Sequence, residues 1–411
     1  MKISVSQQDL AKGIDTVIDV VPSRSPLPVL SNVLLEAKEG CLMLSATDLD
    51  MSVATRIPAI VSEAGKVAAS ARKFAEIIRE LPDTAVAVEA TENRITIRCC
   101  TVVSKDTSMP EDSSEEGVYA LNGVAAEDFP DLPAYGSGEG ERQAEGVVVK
   151  PDTQEMKDMI GKTIFAVSSD ETRPVLGGVL WQIEGNRMRM VATDGFRLSK
   201  LERTLPGGAD VSGAPVEDVE RVVTAQAIVP PKALNNLVKL ISSGNELKGV
   251  TLEENHVIFD LDTTVLFSRV IEGPYPDFWQ VIPKHNEKRF VVSRDVLIPA
   301  VKRVSILSNS QTHQVRLVWE KETLELSAVS QEIGGEARES IRTQHSDESF
   351  RVGYNANYLL EILRKMEPGD VVFELDTPAT SGVIRPAEQP EGQDYLCLLM
   401  PLRLNGPGES D

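Results

Sequence analysis

Cysteine and histidine are scarce in this sequence, with four of each in 411 residues. Cys41, Cys99, Cys100 and Cys397 show no metal-ligand spacing, and adjacent Cys99 and Cys100 in a strand-like run would point to opposite faces. The cysteines therefore read as reduced and structural, and no metal or other cofactor is expected. His256, His285, His313 and His345 are scattered and form no HExxH or nucleophile arrangement. Long apolar runs are missing too: none approaches the roughly 18 residues that span a bilayer, and no basic, apolar, small-residue signal opens the chain. A soluble, cytoplasmic protein without membrane partners is the expectation. Positive charge is in short supply, 42 Lys and Arg against 63 Asp and Glu, for a net charge of -21. DNA affinity comes largely from cations neutralising phosphates, so nucleic acid is excluded as a general surface partner, and any DNA site must be locally enriched in Lys and Arg.

What the chain does contain is a pattern written three times. A chain of 411 residues suits two or three domains of about 100 to 200 residues each. SQQDLAKGIDTVIDVV places Leu10, Ile14, Val17, Ile18 and Val21 on one helical face and leads through PSRSPLPVLSNVLLEA into alternating strands. The same order recurs from MKDMIGKTIFAV and from RDVLIPAVKRVSILS. Related strand phrases follow, LMLSATDLDMSVATR, MRMVATDGFRLSKLE and LELSAVSQEIGGEAR, each succeeded by a second amphipathic helix. Those helices carry apolar residues at 74, 77, 78, 81, then 234, 237, 238, 241, then 359, 362, 363, 366. An α+β fold of three pseudo-repeated domains is predicted, each with two helices packed on about eight antiparallel strands. The Gly-rich stretch 134–146 and the charged joint 284–289 place the boundaries, giving 1–138, 139–284 and 285–411, the last with a short C-terminal tail. Polar, acidic stretches at 104–117 and 206–218 read as loop insertions.

The six helical segments together carry about +3, leaving about -24 for the rest of the chain. Lys12, Arg72, Lys73, Arg79, Lys162, Lys232, Lys239, Lys302, Arg303, Arg364 and Lys365 supply that charge, most of them off the apolar stripes. Ordinary solvated helix faces are one reading of these cations; a shared surface is the other, favoured by their recurrence on the second helix of every repeat.

RSPLPVLSNVLLEA with LSATDLDMSV and SARKFAEIIREL, RPVLGGVLW with VATDGFRLS, ILSN followed by VRL, and YLCLLMPLRL together resemble bacterial sliding clamps, the DNA polymerase III beta subunits that act as processivity factors. The resemblance implies a head-to-tail homodimer closing a six-domain ring around duplex DNA, without sequence preference, and tethering the replicative polymerase to it. Twelve helices at about 10 Å spacing would leave a bore of ~28 Å, wider than a duplex of about 20 Å. It further implies DNA contacts at Arg24, Lys73, Lys232 and Lys239. The partner-peptide cleft would comprise Leu176, Thr193, Gly195, Phe196, Arg197, Leu198, Pro276 and Val281, with Leu398, Leu399, Met400, Pro401, Leu402 and Arg403 from the C-terminal run. Such a groove of Met and Leu walls would accept the apolar anchors of a short peptide, with Arg197 orienting it. The polymerase, the clamp loader and other proteins carrying a clamp-binding motif are the implied partners, and Ile306 and Leu307 the implied dimer contacts. Phe196 stands where some relatives have histidine, and the chain continues past Leu404 where many stop.

No catalytic constellation is found. Gly161-Lys162-Thr163 invites a phosphate-loop reading, but the required glycine five residues earlier is Met156 and the segment reads as helix. Asp48, Asp50 and Asp194 could be imagined as metal ligands, but they sit at matching turn positions of the repeat, where capping is the better account. Besides the clamp, a non-enzymatic scaffold of repeated α+β domains that never encircles DNA stays open.

Overall fold

The computed structural model describes residues 1–38, 40–91, 94–101, 115–132, 146–205, 210–211, 224–332, 334–343 and 349–404. The expected insertions at 104–117 and 206–218, the 134–146 linker and the tail beyond Leu404 lie largely outside the described residues.

Helices form where the apolar stripes predict them: α1 Gln7–Ile18, α2 Ala71–Glu80, α3 Thr153–Thr163, α4 Pro231–Ser242, α5 Arg294–Ser305 and α6 Ala356–Lys365. Local chemistry sets several starts. The Ser6 hydroxyl accepts the Asp9 amide at the head of α1, and the Asn355 side chain accepts the amides of Asn357 and Tyr358 at the head of α6. Pro231 opens α4, where its missing N–H costs nothing. The stripe of α6 is buried as predicted at Leu359, Ile362, Leu363 and Met366. In α4 the buried face is broader than expected: Ala233 and Leu240 join it, while Val238 is only half-buried.

The chain forms two compact units, Met1–Thr153 with Asp210–Pro215 and Lys232–Val270, and Gln154–Ala209 with Val216–Pro231 and Ile271–Asp411. Middle-repeat strands contribute to both, because each unit's main sheet runs on from one repeat into the next. In the first unit, strand Thr264–Arg269 of the second repeat pairs antiparallel with Met51–Pro58 of the first, aligning Thr264 with Thr55 and Ser268 with Met51, within a sheet of 14 strands. α1 and α2 pack on this sheet, burying Leu10, Ile14 and Val17 with Phe74 and Ile78. Each such side chain contributes about 1.5–3 kcal/mol on leaving water. Gly13 lets α1 approach closely, since a Cβ there would meet Leu44 Cδ1 at 2.9 Å and Ile57 Cγ2 at 3.1 Å.

In the second unit, Arg197–Thr204 of the second repeat pairs antiparallel with Gln393–Leu399 of the third in an eight-stranded sheet. A separate four-stranded sheet ends on the edge strand Gly335–Arg342, and α5 and α6 pack against each other. Trp319, Phe290, Phe350 and Phe373 form the aromatic centre here, with Phe290 and Trp319 stacked at 4.7 Å.

Candidate functional site: an apolar cleft and a basic helix surface

The sheet that joins the second and third repeats carries many of the residues expected to form the cleft. Antiparallel pairing sets Leu198 opposite Leu398 and Arg197 opposite Leu399. Leu198 and Leu398 then share a cluster with Leu180, Val191, Ile228, Phe278, Val383 and Leu396, on which Val175, Ile271, Tyr275 and Ile282 pack half-buried. Of the residues expected to line the groove, Leu176, Leu198, Leu398 and Leu399 are buried. Phe196, Val281 and Met400 are exposed apolar groups, at 57%, 48% and 41%, with Pro276 exposed and Thr193 half-buried. The main chain of Leu402 and Arg403 is tied to the third repeat: the Leu402 amide donates to the Gly353 carbonyl at 2.8 Å, and Gln314 donates to the Arg403 carbonyl. Pro401, between Met400 and Leu402, is half-buried.

A recurring turn presents Phe196. The Asp194 carboxylate accepts the amides of Phe196 and Arg197, Thr193 Oγ1 accepts the Gly195 amide, and Gly195 takes a φ of +92°. The first repeat makes the same turn: Asp48 accepts the amides of Asp50 and Met51, Thr47 accepts that of Leu49, and Leu49 takes a φ of +82°. Asp48 and Asp194 therefore cap turns, as their repeat positions imply, and the Met400 amide ties the Phe196 carbonyl to the C-terminal strand at 2.9 Å.

Arg197 is engaged by groups of its own chain. Its guanidinium is buried, with Nε on Asp194 at 3.1 Å, Nη1 on Glu361 and Nη2 on the Phe165 carbonyl at 2.9 Å. It also lies 4.4 Å over the Tyr358 ring. All three nitrogens of Arg197 are engaged, and Phe196 stacks on the same Tyr358 at 6.4 Å. Near the other end, exposed Trp279 is flanked by Arg189 at 4.9 Å and Lys200 at 5.2 Å. Lys200 is itself buried and paired with Asp394 at 2.6 Å. Burial pushes the Asp394 carboxyl up, but Lys200 and Arg385 more than offset this and hold it below its ordinary value. Burial also pushes the Cys397 thiol up to about 11, in line with a structural cysteine.

The basic surface divides differently from the expectation. Arg24 is exposed and without an ion pair among the described residues. Lys73, Lys232 and Lys239 are each paired, with Glu76 at 2.6 Å, with Asp48, and with Asp19 at 2.9 Å. Arg79 likewise reaches Asp15, and Arg303 reaches Glu339. Lys162 is corrected outright: it is buried and held by Asp158 at 3.0 Å and Glu367 at 2.9 Å, so it offers no solvent-facing charge. Most of these carboxylates are distant in sequence from their partners, which is why a count along the helices overlooked them. Sequence also passed over Tyr358, Glu361, Trp279 and the buried strand residues Leu180, Val191, Ile228, Val383 and Leu396. Of the expected dimer contacts, Ile306 is 74% exposed at the end of α5 and Leu307 is half-buried.

Three family models match in order: the N-terminal domain of the DNA polymerase III beta subunit over residues 1–133, its central domain over 151–277 and its C-terminal domain over 279–403. A beta sliding clamp of Caulobacter vibrioides is 31% identical over 408 residues, covering 98% of this chain and 100% of the relative. That of Escherichia coli K12 is 29% identical with the same coverage. Among solved structures, the Pseudomonas aeruginosa DNA polymerase III subunit beta superposes with a TM-score of 0.84 at 26% identity, covering 98% of this chain and 100% of that one. The Bartonella birtlesii sliding clamp bound to griselimycin does so with a TM-score of 0.82 at 29% identity and the same coverage. From the first repeat to the last strand, this chain belongs to the DNA polymerase III beta-subunit family, the bacterial sliding clamps.

Proposed function

We propose that the chain acts in the cytoplasm as a non-catalytic DNA sliding clamp. Two copies close head to tail around duplex DNA, and the cleft holds a short peptide of the replicative polymerase, the clamp loader or another replication or repair protein. The reading divides the chain as 1–138, 139–284 and 285–411, so each ring has six domains. The observation that carries it is a pair of open sheet edges at opposite ends of the repeat series. In the first repeat, strand Glu115–Val124 pairs with Arg94–Thr101 along one side, while its other side is bonded only near Gly123 and Val124 among the described residues. Val118 and Tyr119 are exposed there. In the third repeat, Gly335–Arg342 is an edge strand, paired only with Thr323–Ser330 among the described residues. Exposed strand edges template pairing with another chain. Joining a first-repeat edge to a third-repeat edge closes a ring, as one head-to-tail contact repeated twice, with Ile306 and Leu307 beside the seam.

The cleft supports the tethering half. Its residues include a buried apolar cluster and exposed Phe196, Val281 and Met400, a form suited to apolar anchors of an extended peptide. Retention on DNA tests the reading: a loaded dimer should persist on nicked circular DNA and be lost on linearisation, and Ile306→Asp should reduce retention on the circle. The high acidic charge favours a second reading, a scaffold that never encircles DNA. Equal retention on linear and circular DNA would establish it over the clamp.

A further inference from the structure

The turn that presents Phe196 has a counterpart at the junction of the first and second repeats, within the first unit. Thr47 Oγ1 and the Asp48 amide both donate to the Met51 carbonyl, as Thr193 Oγ1 and the Asp194 amide do to that of Arg197. The Arg269 amide donates to the Asp50 carbonyl at 2.8 Å, as the Met400 amide does to that of Phe196. The entering loop matches too: the Leu30 amide donates to the Leu27 carbonyl at 3.1 Å, and the Leu176 amide to the Arg173 carbonyl at 3.0 Å. Leu49 therefore stands where the second repeat has Gly195, Asp50 where it has Phe196, and Leu27 where it has Arg173.

The backbone is repeated and the side chains are not. Leu49 holds a φ of +82°, a region that glycine enters freely and leucine only at a cost. Burial does not offset that cost, because Leu49 is 47% exposed. A lone exposed leucine needs no explanation, but this one is strained and has a neighbour. Leu27 is also 47% exposed, at the position from which Arg173 reaches the Asp194 carbonyl in the second repeat. Charge here is acidic. In the second repeat Phe278 shares a cluster with Val175 of the entering loop, and by the same match buried Phe129 brings Asp128 and Asp131 beside Leu27. Asp50, Asp128 and Asp131 are exposed and without ion pairs among the described residues. Of the cations at the turn, Lys232 is held by Asp48 and Arg269 remains.

We propose that this junction is a second docking site, taking a short extended segment of a partner protein that carries an aliphatic side chain beside lysine or arginine. Leu27 and Leu49 supply the apolar contact, and the three free carboxylates select the basic neighbours. A docking role for the turn rests on the cleft reading above. The two sites differ in chemistry, aromatic at Phe196 and aliphatic with acidic surroundings at Leu49, so each selects its own segment.

The test uses the full chain and labelled peptides read by fluorescence anisotropy. Gly-Arg-Leu-Arg-Leu-Gly should bind, and its glutamate form Gly-Glu-Leu-Glu-Leu-Gly and serine form Gly-Arg-Ser-Arg-Ser-Gly should each bind about 10-fold more weakly. Leu27→Ser with Leu49→Asn, an asparagine being tolerant of positive φ, should weaken the first peptide about 10-fold. Phe196→Ala should leave it within about 2-fold. Leu49→Gly should not lower the urea midpoint, because relief of the backbone strain offsets the looser unfolded chain. A lowered midpoint would show that folding, not docking, retains the leucine, and would overturn the site. Absence of binding, or equal binding of the glutamate form, would do the same. Loss of the first peptide in Phe196→Ala alone would seat it in the cleft, overturning the second site while the cleft reading stands. A changed sedimentation mass in the Leu27, Leu49 variant with peptide binding unaltered would overturn docking and assign the patch to contact between copies. An uncharged aromatic peptide, Gly-Ser-Phe-Leu-Phe-Gly, reports on the cleft: if it ignores Phe196→Ala, the cleft reading fails by itself, and loss of the basic peptide in the Leu27, Leu49 variant still upholds this site.

Discussion

Asp394 shows how single residues brace the cleft. Its carboxylate serves Lys200, which is buried, and Arg385 at 2.8 Å, and with them it holds the strand that carries Leu398. Replacing it with Asn strands a buried ammonium, so Asp394→Asn should destabilise the protein by roughly 2–3 kcal/mol at pH 7, less than a fully buried pair because the carboxylate is partly solvated. The folded-state pKa lies below the ordinary 3.8, so this contribution is present above pH 3.8 and is lost as pH falls through the folded value. Urea denaturation should therefore show the gap between parent and variant at pH 7 closing below about pH 3.8; a gap constant with pH would remove Asp394 from that role. Phe196 acts oppositely, exposed and stacked only on Tyr358, so Phe196→Ala should leave stability within about 0.5 kcal/mol. Peptide affinity should fall roughly 5- to 30-fold, the loss of an aromatic hot spot, as read by fluorescence anisotropy. The turn that carries Phe196 was legible in the sequence because it repeats that of the first domain, while the place of Phe196 in a cleft came from the resemblance. The confinement of Arg197 was not legible, since Glu361 and Tyr358 lie far along the chain.

At the scale of elements, the amphipathic stripes were the readable part. α6 buries the residues its spacing predicts, and α1 and α2 bury theirs except Ile18 and Ile77, which are half-buried, because a helix of these lengths gains stability chiefly from one packed face. Strand partners across repeats, such as Thr264 with Thr55, were hidden because alternation says which face a residue takes and nothing about which strand lies beside it. Gly13 tests the helix-on-sheet contact. An added methyl meets the end of a flexible Leu44 side chain, and the propensity gain of up to about 1 kcal/mol offsets that clash, so Gly13→Ala should be near neutral. Gly13→Val adds two further carbons against Leu44 and Ile57 and should destabilise by about 1–3 kcal/mol in chemical denaturation. Equal midpoints for the two variants would show that α1 is not held at this distance by Gly13.

For the whole molecule, charge decides how a clamp stays on DNA. A net charge of -21 opposes duplex binding, and the lysines expected to favour it are held by neighbouring acids: Lys239 by Asp19 and Lys232 by Asp48. A phosphate that approached either lysine would have to compete with these carboxylates, and a contact so weakened would let the protein pass from one phosphate to the next. Holding by topology and sliding freely are then the same design, with the carboxylates setting its looseness. Asp19→Asn with Asp48→Asn should unlock both lysines, and the second change keeps a side-chain oxygen to cap the turn that Asp48 caps, so the fold is kept. The double variant should bind a short linear duplex more tightly at low salt, with log K against log salt steeper by about 2. Diffusion along DNA should slow in step, as followed by single-molecule tracking of the loaded protein. If affinity rises but diffusion is unchanged, the carboxylates do not govern sliding; if neither changes, Lys232 and Lys239 do not meet phosphate.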